Sequence, residues 1–405
     1  MSGRASSLCL RCRGARGLCG APACPVFDLW RAVESVRVPA ERVLEGSSPP
    51  SVFVGRVGYP RVRVAPAAPP EVGDTSLYDA PERWLELDLR EVLEMRLGLV
   101  RGVLTIDVRR GRGLEDLQLL ALSSRPVEVE LRLSRPPRPS VRLDALAPPL
   151  GPAAPAESFR LLEDPKVPKP LERAFLDGDM RAEEAILYLY RSGAPVSAIQ
   201  RALSVGALGA ARDRRLVPTR WSITAVDDTV SRHLVERVKR LRVVDRFLFF
   251  ERRHAHNTFV AIIAPAPWSY EWIEAWFPHT TWNPGLTVEV EGDWEGYRGR
   301  RTYASLGGCY YAARLATAEY MVREGLQGAA ILIREIYEGF FLPIGVWFVR
   351  ESVRALFRSR PERYGSLREV LERLGRATRL PLGVWLAKSR LLRALAAQER
   401  LEAWL

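Results

Sequence analysis

The chain has 405 residues, 47% of them hydrophobic, and its 60 Lys and Arg against 48 Asp and Glu give a formal charge of +12. That length holds two or three domains, and the basic balance suits an acidic partner such as nucleic acid. The longest apolar runs, such as 342–349, are far too short to span a bilayer, and Arg4, Arg11, Arg13 and Arg16 break up any secretory signal, so a cytoplasmic protein is expected.

Four cysteines fall within sixteen residues, as Cys9, Cys12, Cys19 and Cys24, with Gly14, Gly17 and Gly20 between them to permit tight turns. Four thiolates around one centre make a closed, structural Zn2+ site. Two disulfides and an iron–sulfur cluster are the competing readings. The arginines among these cysteines either solvate the surface or touch phosphates. Cys309, in an apolar stretch, reads as a buried small residue. Only four of the basic residues are Lys, and Arg offers a planar donor fork matched to phosphate. Asn occurs twice, and this shortage of thermolabile residues predicts a thermophilic source.

Beyond the cysteines, 28–45 reads as a short helix, 46–50 as a loop and 51–64 as extended chain. A helix is predicted over 81–97, and strands over 103–108 and 127–133. The second strand alternates apolar and charged residues, as a sheet with one wet face does. The proline-rich stretch 136–155 is the best linker. Helices follow at 181–191 and 197–203, a short strand at 221–226, a helix at 229–241, and strands at 243–250, 259–263 and 286–290. From Tyr303 onward the chain reads as mainly helical, with breaks at Gly339, Pro361 and Pro381. Segregated strands and helices predict an α+β fold. It would comprise a zinc knuckle over 1–26, a β-rich region over 27–150, a mixed strand and helix domain over 156–395 and a tail over 396–405.

Asp227 and Asp228, after the predicted strand, could hold Mg2+ or Mn2+ as nuclease carboxylates do; capping the next helix is the competing reading. Between Gly292 and Arg301 the chain combines Asp293 and Glu295 with Arg298, Arg300, Arg301 and aromatic residues, a mixture that can stack bases and hold phosphates. Surface salt bridges are its plainer reading. Gly307 and Gly308 open a helix, a potential phosphate site. With Arg220, the three arginines and two glycines are the candidate nucleic-acid contacts. Asp227, Asp228, Asp293 and Glu295 are the candidate catalytic carboxylates. His254 and His256 would share one side of a strand and could bind metal, or simply flank a hairpin turn; His233 and His279 read as structural. Trp268, Trp272, Trp276 and Trp282 read as core, with Trp272 and Trp276 on one helix face.

The chain closes on Gln398-x-x-Leu401-x-x-Trp404-Leu405, the pattern of the peptide by which repair and replication proteins plug into the DNA sliding clamp (PCNA). One helical turn brings Leu401, Trp404 and Leu405 to one side. An ordinary amphipathic helix on its own core is the competing reading.

With both ends described, the chain resembles the archaeal Nre DNA repair family, NreA type. The resemblance is carried by Cys9-Leu-Arg-Cys12-Arg-Gly, Leu18-Cys19-Gly-x-x-x-Cys24-Pro25, Val54-Gly-Arg-Val-Gly-Tyr59-Pro60 and Asp164-Pro-Lys-Val-Pro168. It continues in Leu216-Val-Pro-Thr-Arg-Trp-Ser-Ile-Thr-Ala-Val-Asp-Asp228, Gly292-Asp-Trp-Glu-Gly-Tyr297 and Gly307-Gly-Cys-Tyr-Tyr311. It implies a zinc-finger-like motif on the four cysteines, a role in DNA damage repair, and clamp contact through Gln398, Leu401, Trp404 and Leu405. The last motif position is often Phe, and Leu405 is smaller. Three functions follow: a clamp-tethered DNA-binding repair factor, a metal-dependent nuclease on damaged or branched DNA, and a non-catalytic adaptor.

Overall fold

The computed structural model describes residues 38–109, 114–280, 283, 285–340 and 343–402, with side chains through Gln398. The four clustered cysteines, Trp282, Trp404, Leu405 and the side chain of Leu401 lie outside this set. Two units form, one of Leu29–Val230 with Pro343–Phe348, the other of Met1–Asp28, Ser231–Leu342 and Val349–Leu405.

In the first unit, six strands order as β1-β5-β6-β4-β3-β2: β1 (Val43–Ser48), β2 (Val52–Val54), β3 (Arg61–Ala68), β4 (Val100–Asp107), β5 (Val127–Leu133) and β6 (Ala153–Leu161). β4 and β6 run parallel and the other neighbours antiparallel. The predicted alternation in β5 holds, with Val127, Val129, Leu131 and Leu133 buried. The helices are α1 (Leu89–Gly98), α2 (Leu114–Leu122), α3 (Lys169–Leu176), α4 (Ala182–Arg191) and α5 (Val196–Ser204). A capping box between Asp88 and Glu91 starts α1 seven residues after Pro81, which itself opens a 3-10 turn.

Two expectations fail here. The predicted helix 28–45 and loop 46–50 overlap β1, where Leu44 and Gly46 alternate with exposed residues against β5. The stretch 136–155 is packed rather than a linker. Arg142 and Leu150 exchange backbone hydrogen bonds of 3.0 Å, Ala147 and Leu150 are buried, and Val346 N donates to Leu146 O. The division between units falls after Val230, inside α6 (Thr219–Val238). That helix replaces the strand predicted at 221–226. Ile223, Val226, Val230, Leu234 and Val238 are buried at three- and four-residue spacing, a period that overrides the β propensity of the segment.

The second unit carries a two-stranded ladder of β7 (Arg242–Val243) and β12 (Leu326–Gln327). Its main sheet has β8 (Phe247–His254), β9 (Asn257–Ala264), β10 (Ser269–Trp276), β11 (Glu289–Glu295), β13 (Ala329–Ile336) and β14 (Glu362–Tyr364), in the order β11-β10-β13-β9-β8-β14. Every residue of β9 and β13 is buried, so both faces of the sheet are covered. One face packs Phe249, Ile262, Ile273 and Ile331 against α9 (Leu367–Ala377), α10 (Leu382–Lys388) and α11 (Arg390–Glu402). On the other, Phe250 meets Tyr320 of α7 (Gly308–Glu324) and Phe357, which follows α8 (Trp347–Leu356). The architecture is mixed α+β. No helix of the described residues is long and apolar enough to cross a membrane.

β10 and β13 correct the sequence reading. Trp272 and Trp276 share a strand face, since a spacing of four suits both a helix and a strand. β13 falls in the stretch from Tyr303 onward read as mainly helical, and it is a strand with Arg334 and Glu335 buried in it. Arg334 donates to Glu274 of β10 (3.0 Å) and to Asn257 (2.9 Å), so the pair is neutralised inside the sheet. Glu271 of β10 accepts from Ser389 Oγ, Arg390 N (2.7 Å) and Leu391 N (3.2 Å), capping α11. Stripping a buried donor cluster of its acceptor costs about 1–3 kcal/mol. Glu271→Leu is therefore expected to lower the unfolding free energy of the full chain by about that amount, read by equilibrium denaturation. An unchanged midpoint would mean that Leu391 and Leu392 hold α11 unaided.

Candidate nucleic-acid interface

β11 is the edge strand of the second sheet, and its two-residue period sets Asp293 and Glu295 on one side. Glu295 is buried and accepts from Tyr310 Oη (3.0 Å) and Arg314 (2.7 Å) of α7. Asp293 accepts from Arg300 (2.8 Å), Ser305 N (2.7 Å) and Trp294 N (2.8 Å). Arg300 donates onward to Thr302 O and lies 4.6 Å from the Tyr310 ring centre. Asp293 thus closes a loop from Gly296 to Ser305, tightened where Gly299, at φ +74, donates to Gly296 O.

What that loop presents differs from what holds it. Tyr297 is 49% and Tyr303 61% exposed. Arg298 and Arg301 are exposed and carry no ion pair among the described residues. Lys239 sits 5.1 Å from the Tyr297 ring centre, and Tyr303 lies 5.4 Å from Tyr311. Two aromatic rings beside two uncommitted guanidiniums form a surface that can stack bases and meet phosphates. Arg300, predicted to contact nucleic acid, is instead a structural brace. Gly307 follows at φ +63, a backbone conformation only glycine adopts readily, and Gly308 starts α7.

The other predicted residues do not join this patch. Asp227 and Asp228 lie in mid-helix, so neither caps a helix. Asp227 is fully buried and accepts from Gln200 (3.0 Å), and adjacent helical residues diverge by about 100°. Asp293 and Glu295 are saturated by arginines and backbone donors. Among the described residues no group of three or more His, Cys, Asp and Glu could hold a metal ion. Arg220 of α6 pairs with Asp144 at 3.3 Å. His254 and His256 do not share a strand side: Ala255 and His256, at φ +45 and +57, form the hairpin turn between β8 and β9. That turn borders an open cavity of about 650 Å³ lined by Arg253, Arg376 and Arg379 with Tyr337 and Glu338. It lies at the opposite end of the sheet from the Gly296–Ser305 loop, because His254 and Ile336 pair at the Asn257 end of β9 while Glu295 pairs with Tyr270.

One surface in the first unit escaped the sequence reading. Two family-like segments meet where Val54 N donates to Thr219 Oγ1 (2.9 Å). Nearby, Tyr59 (44% exposed) and Trp221 (48% exposed) lie 5.7 Å apart. Their separation of 162 residues hid the pair; the only signal was an aromatic in each segment.

Burial raises the Asp293 pKa, but the Arg300 and backbone donors outweigh it and hold the carboxyl below its ordinary 3.8. The bracing is thus present above that value and lost as pH falls through the lower, folded one. Asp293→Asn is expected to remove about 1 kcal/mol at neutral pH after solvent screening, with the difference from the parent vanishing in acid. Denaturation at pH 7 and pH 3 tests this, and a difference that persists undiminished at pH 3 would contradict it.

The family model described as "Archaeal Nre, N-terminal" matches residues 18–283, and "Archaeal Nre, C-terminal" matches 295–404. The chain is 47% identical to "DNA repair protein NreB" of Archaeoglobus fulgidus over 95% of its length and 97% of that protein. It is 35% identical to "DNA repair protein NreA" of the same organism, covering 90% of this chain and 92% of that one. To "DNA repair protein NreA" of Haloferax volcanii it is 38% identical, covering 82% and 83%. No solved structure matches. The residues quoted above and these full-length likenesses agree: the chain belongs to the archaeal Nre family.

Proposed function

We propose that this protein is a DNA repair factor that binds DNA through exposed aromatic and arginine residues and is recruited to the sliding clamp by its C-terminal peptide. The repair role rests on the relatives, which carry DNA repair names along nearly their whole length. DNA contact is assigned to Tyr297, Arg298, Arg301 and Tyr303, because these are the exposed aromatic and arginine side chains of the loop. Arg220 is instead paired with Asp144, Arg300 braces the loop through Asp293 and Thr302 O, and Gly307 and Gly308 form the turn into α7. Cys9, Cys12, Cys19 and Cys24 would hold a structural zinc ion.

One observation favours the clamp over an ordinary packed helix. Leu391, Leu392, Leu395 and Ala396 are the residues of α11 packed on the sheet, while Ala397 and Gln398 are exposed. If the tail continued as a helix, the sequence positions of Gln398, Leu401, Trp404 and Leu405 would centre roughly 140° round from that packed stripe. A helix meant only to cover its own core would keep one stripe. Burying one Trp and two Leu gives roughly 4–8 kcal/mol gross, before ordering costs.

Calorimetric titration of the sliding clamp with the full chain and with a version ending at Ala397 tests recruitment. Binding is expected only with the full chain, and equal binding by both would remove the tail from the account. For DNA, Arg298→Gln and Arg301→Gln are each expected to flatten the salt dependence of binding by about one unit of log–log slope. Tyr303→Ala should weaken single-strand binding by about 1–3 kcal/mol. If the parent shows no salt-sensitive DNA binding, the adaptor reading replaces this one. Metal content of about one zinc per chain, lost on replacing the cysteines, checks the knuckle.

A further inference from the structure

Within the first unit, β2, α1, β4 and α5 line a partly open cavity of about 60 Å³, walled by Arg96, Arg101, Arg201, Asp79, Ser51 and Gln200 among others. Three guanidinium groups face a single carboxylate. Arg96 claims it, donating to Asp79 Oδ1 at 2.7 Å, and its remaining contacts are the carbonyls of Pro149 and Tyr78. Arg101 is 2% exposed, and among the described residues its hydrogen-bond partners are neutral, Ala65 O at 3.2 Å and Ser51 Oγ at 3.1 Å. Its Nε is buried without a partner, as is the Nε of Arg201, which otherwise reaches only Asp79 O at 3.4 Å.

A buried guanidinium without a counter-charge is costly, and water in the cavity would satisfy its N–H groups without neutralising it. Burial and the neighbouring Arg96, opposed in part by the charge of Asp79, pull the Arg101 pKa down to about 9, so the charge persists at neutral pH. Arg101 and Arg201 carry no ion pair among the described residues, and each lines this cavity with a buried, unpartnered Nε, an arrangement that suits an anion with several acceptor oxygens. Planar donor forks match a tetrahedral oxyanion bidentately. A cavity of 60 Å³ is room for about four or five water-sized positions, enough for one such group and too small for a nucleobase.

We infer that this cavity, between Arg101 and Arg201, is a binding site for a single phosphate group. The group is either free orthophosphate or the terminal phosphate of a nucleic acid strand. The site lies in the other unit from the Gly296–Ser305 loop, and it stands or falls independently of DNA binding there.

The test uses the full chain. Thermal unfolding is followed in sodium phosphate and in sodium chloride of equal ionic strength, and calorimetry compares a 5′-phosphorylated oligonucleotide with its 5′-hydroxyl twin. Orthophosphate, the phosphorylated strand, or both are expected to bind beyond the chloride and hydroxyl controls. Arg201→Gln, at a half-buried position, should weaken that binding about tenfold or more. Arg101→Lys keeps the charge but not the fork and should weaken it similarly; if it does not fold, Arg201→Gln decides alone. Response to orthophosphate alone identifies the free anion, and response to the strand alone identifies a nucleic acid end. No preference for phosphate over chloride together with none for the phosphorylated strand, or binding unchanged in Arg201→Gln, overturns the proposal.

Discussion

A carboxylate on a strand covered on both faces must find donors inside the protein, and that constraint organises the second unit. β10 carries Glu271 and Glu274, and β13 carries Glu335, each under 5% exposed. Glu274 is met by Arg334 from the neighbouring strand, Glu271 by the first turn of α11, and Glu335 by the backbone of Arg379 and Leu380 and by Tyr337. Leaving any of them unmatched would cost several kcal/mol. The acids thereby fix the parallel register of β10 on β13 and the places where the 378–380 turn and α11 attach. Apolar packing supplies most of the stability, but it is non-directional; the carboxylates specify where each helix begins.

The same logic divides the arginines. A charge of +12 suggests a surface spread with cations, yet many guanidiniums are internal ties. Arg314 joins Glu295 to Ser231, Arg354 pairs with Glu319 and Glu351, and Arg373 bridges Glu251 and Glu362. Net charge therefore overstates the surface available to nucleic acid. The informative residues are those left over, exposed as Arg298 and Arg301 are, or buried without a counter-charge as Arg101 is. Exposed ones offer affinity that salt erodes; a buried one offers selectivity for a particular anion, because solvent cannot take the anion's place.

Much of the fold was legible where one signal dominated. β5 shows period two, and α4 and α5 show period 3.6 with polar faces, so their bounds fell within a residue or two of those read from sequence. Three segments misled for identifiable reasons. Residues 221–226 are rich in β-branched and aromatic side chains, but Ile223 and Val226 belong to a buried stripe at helical spacing that runs on to Val238. β13 holds Arg334 and Glu335 near its end, and a strand with buried charges is unreadable until their partners on β10, β9 and the 379–380 backbone are known. The 136–155 stretch has linker composition, yet the carbonyls of Leu146 and Pro149 are held by Val346 and Arg96, both distant in sequence. The candidate site was read in part. The 292–308 segment does form one braced unit, but which of its arginines brace and which face outward depended on Asp293, whose role no local pattern encodes.

The cavity around Arg101 lies beyond any sequence reading for the same reason in stronger form. Its walls come from four separated elements, and its distinguishing property is a missing charge rather than a motif. Arg96 and Arg101 sit five residues apart, on a helix and on the strand after it, where two arginines would ordinarily be taken as surface residues. Only when both are found buried, with Asp79 already committed to one, does the second become chemically incomplete. The proposed anion would complete an arrangement that is otherwise costly, since a well-packed apolar pair at these positions would avoid the buried charge altogether.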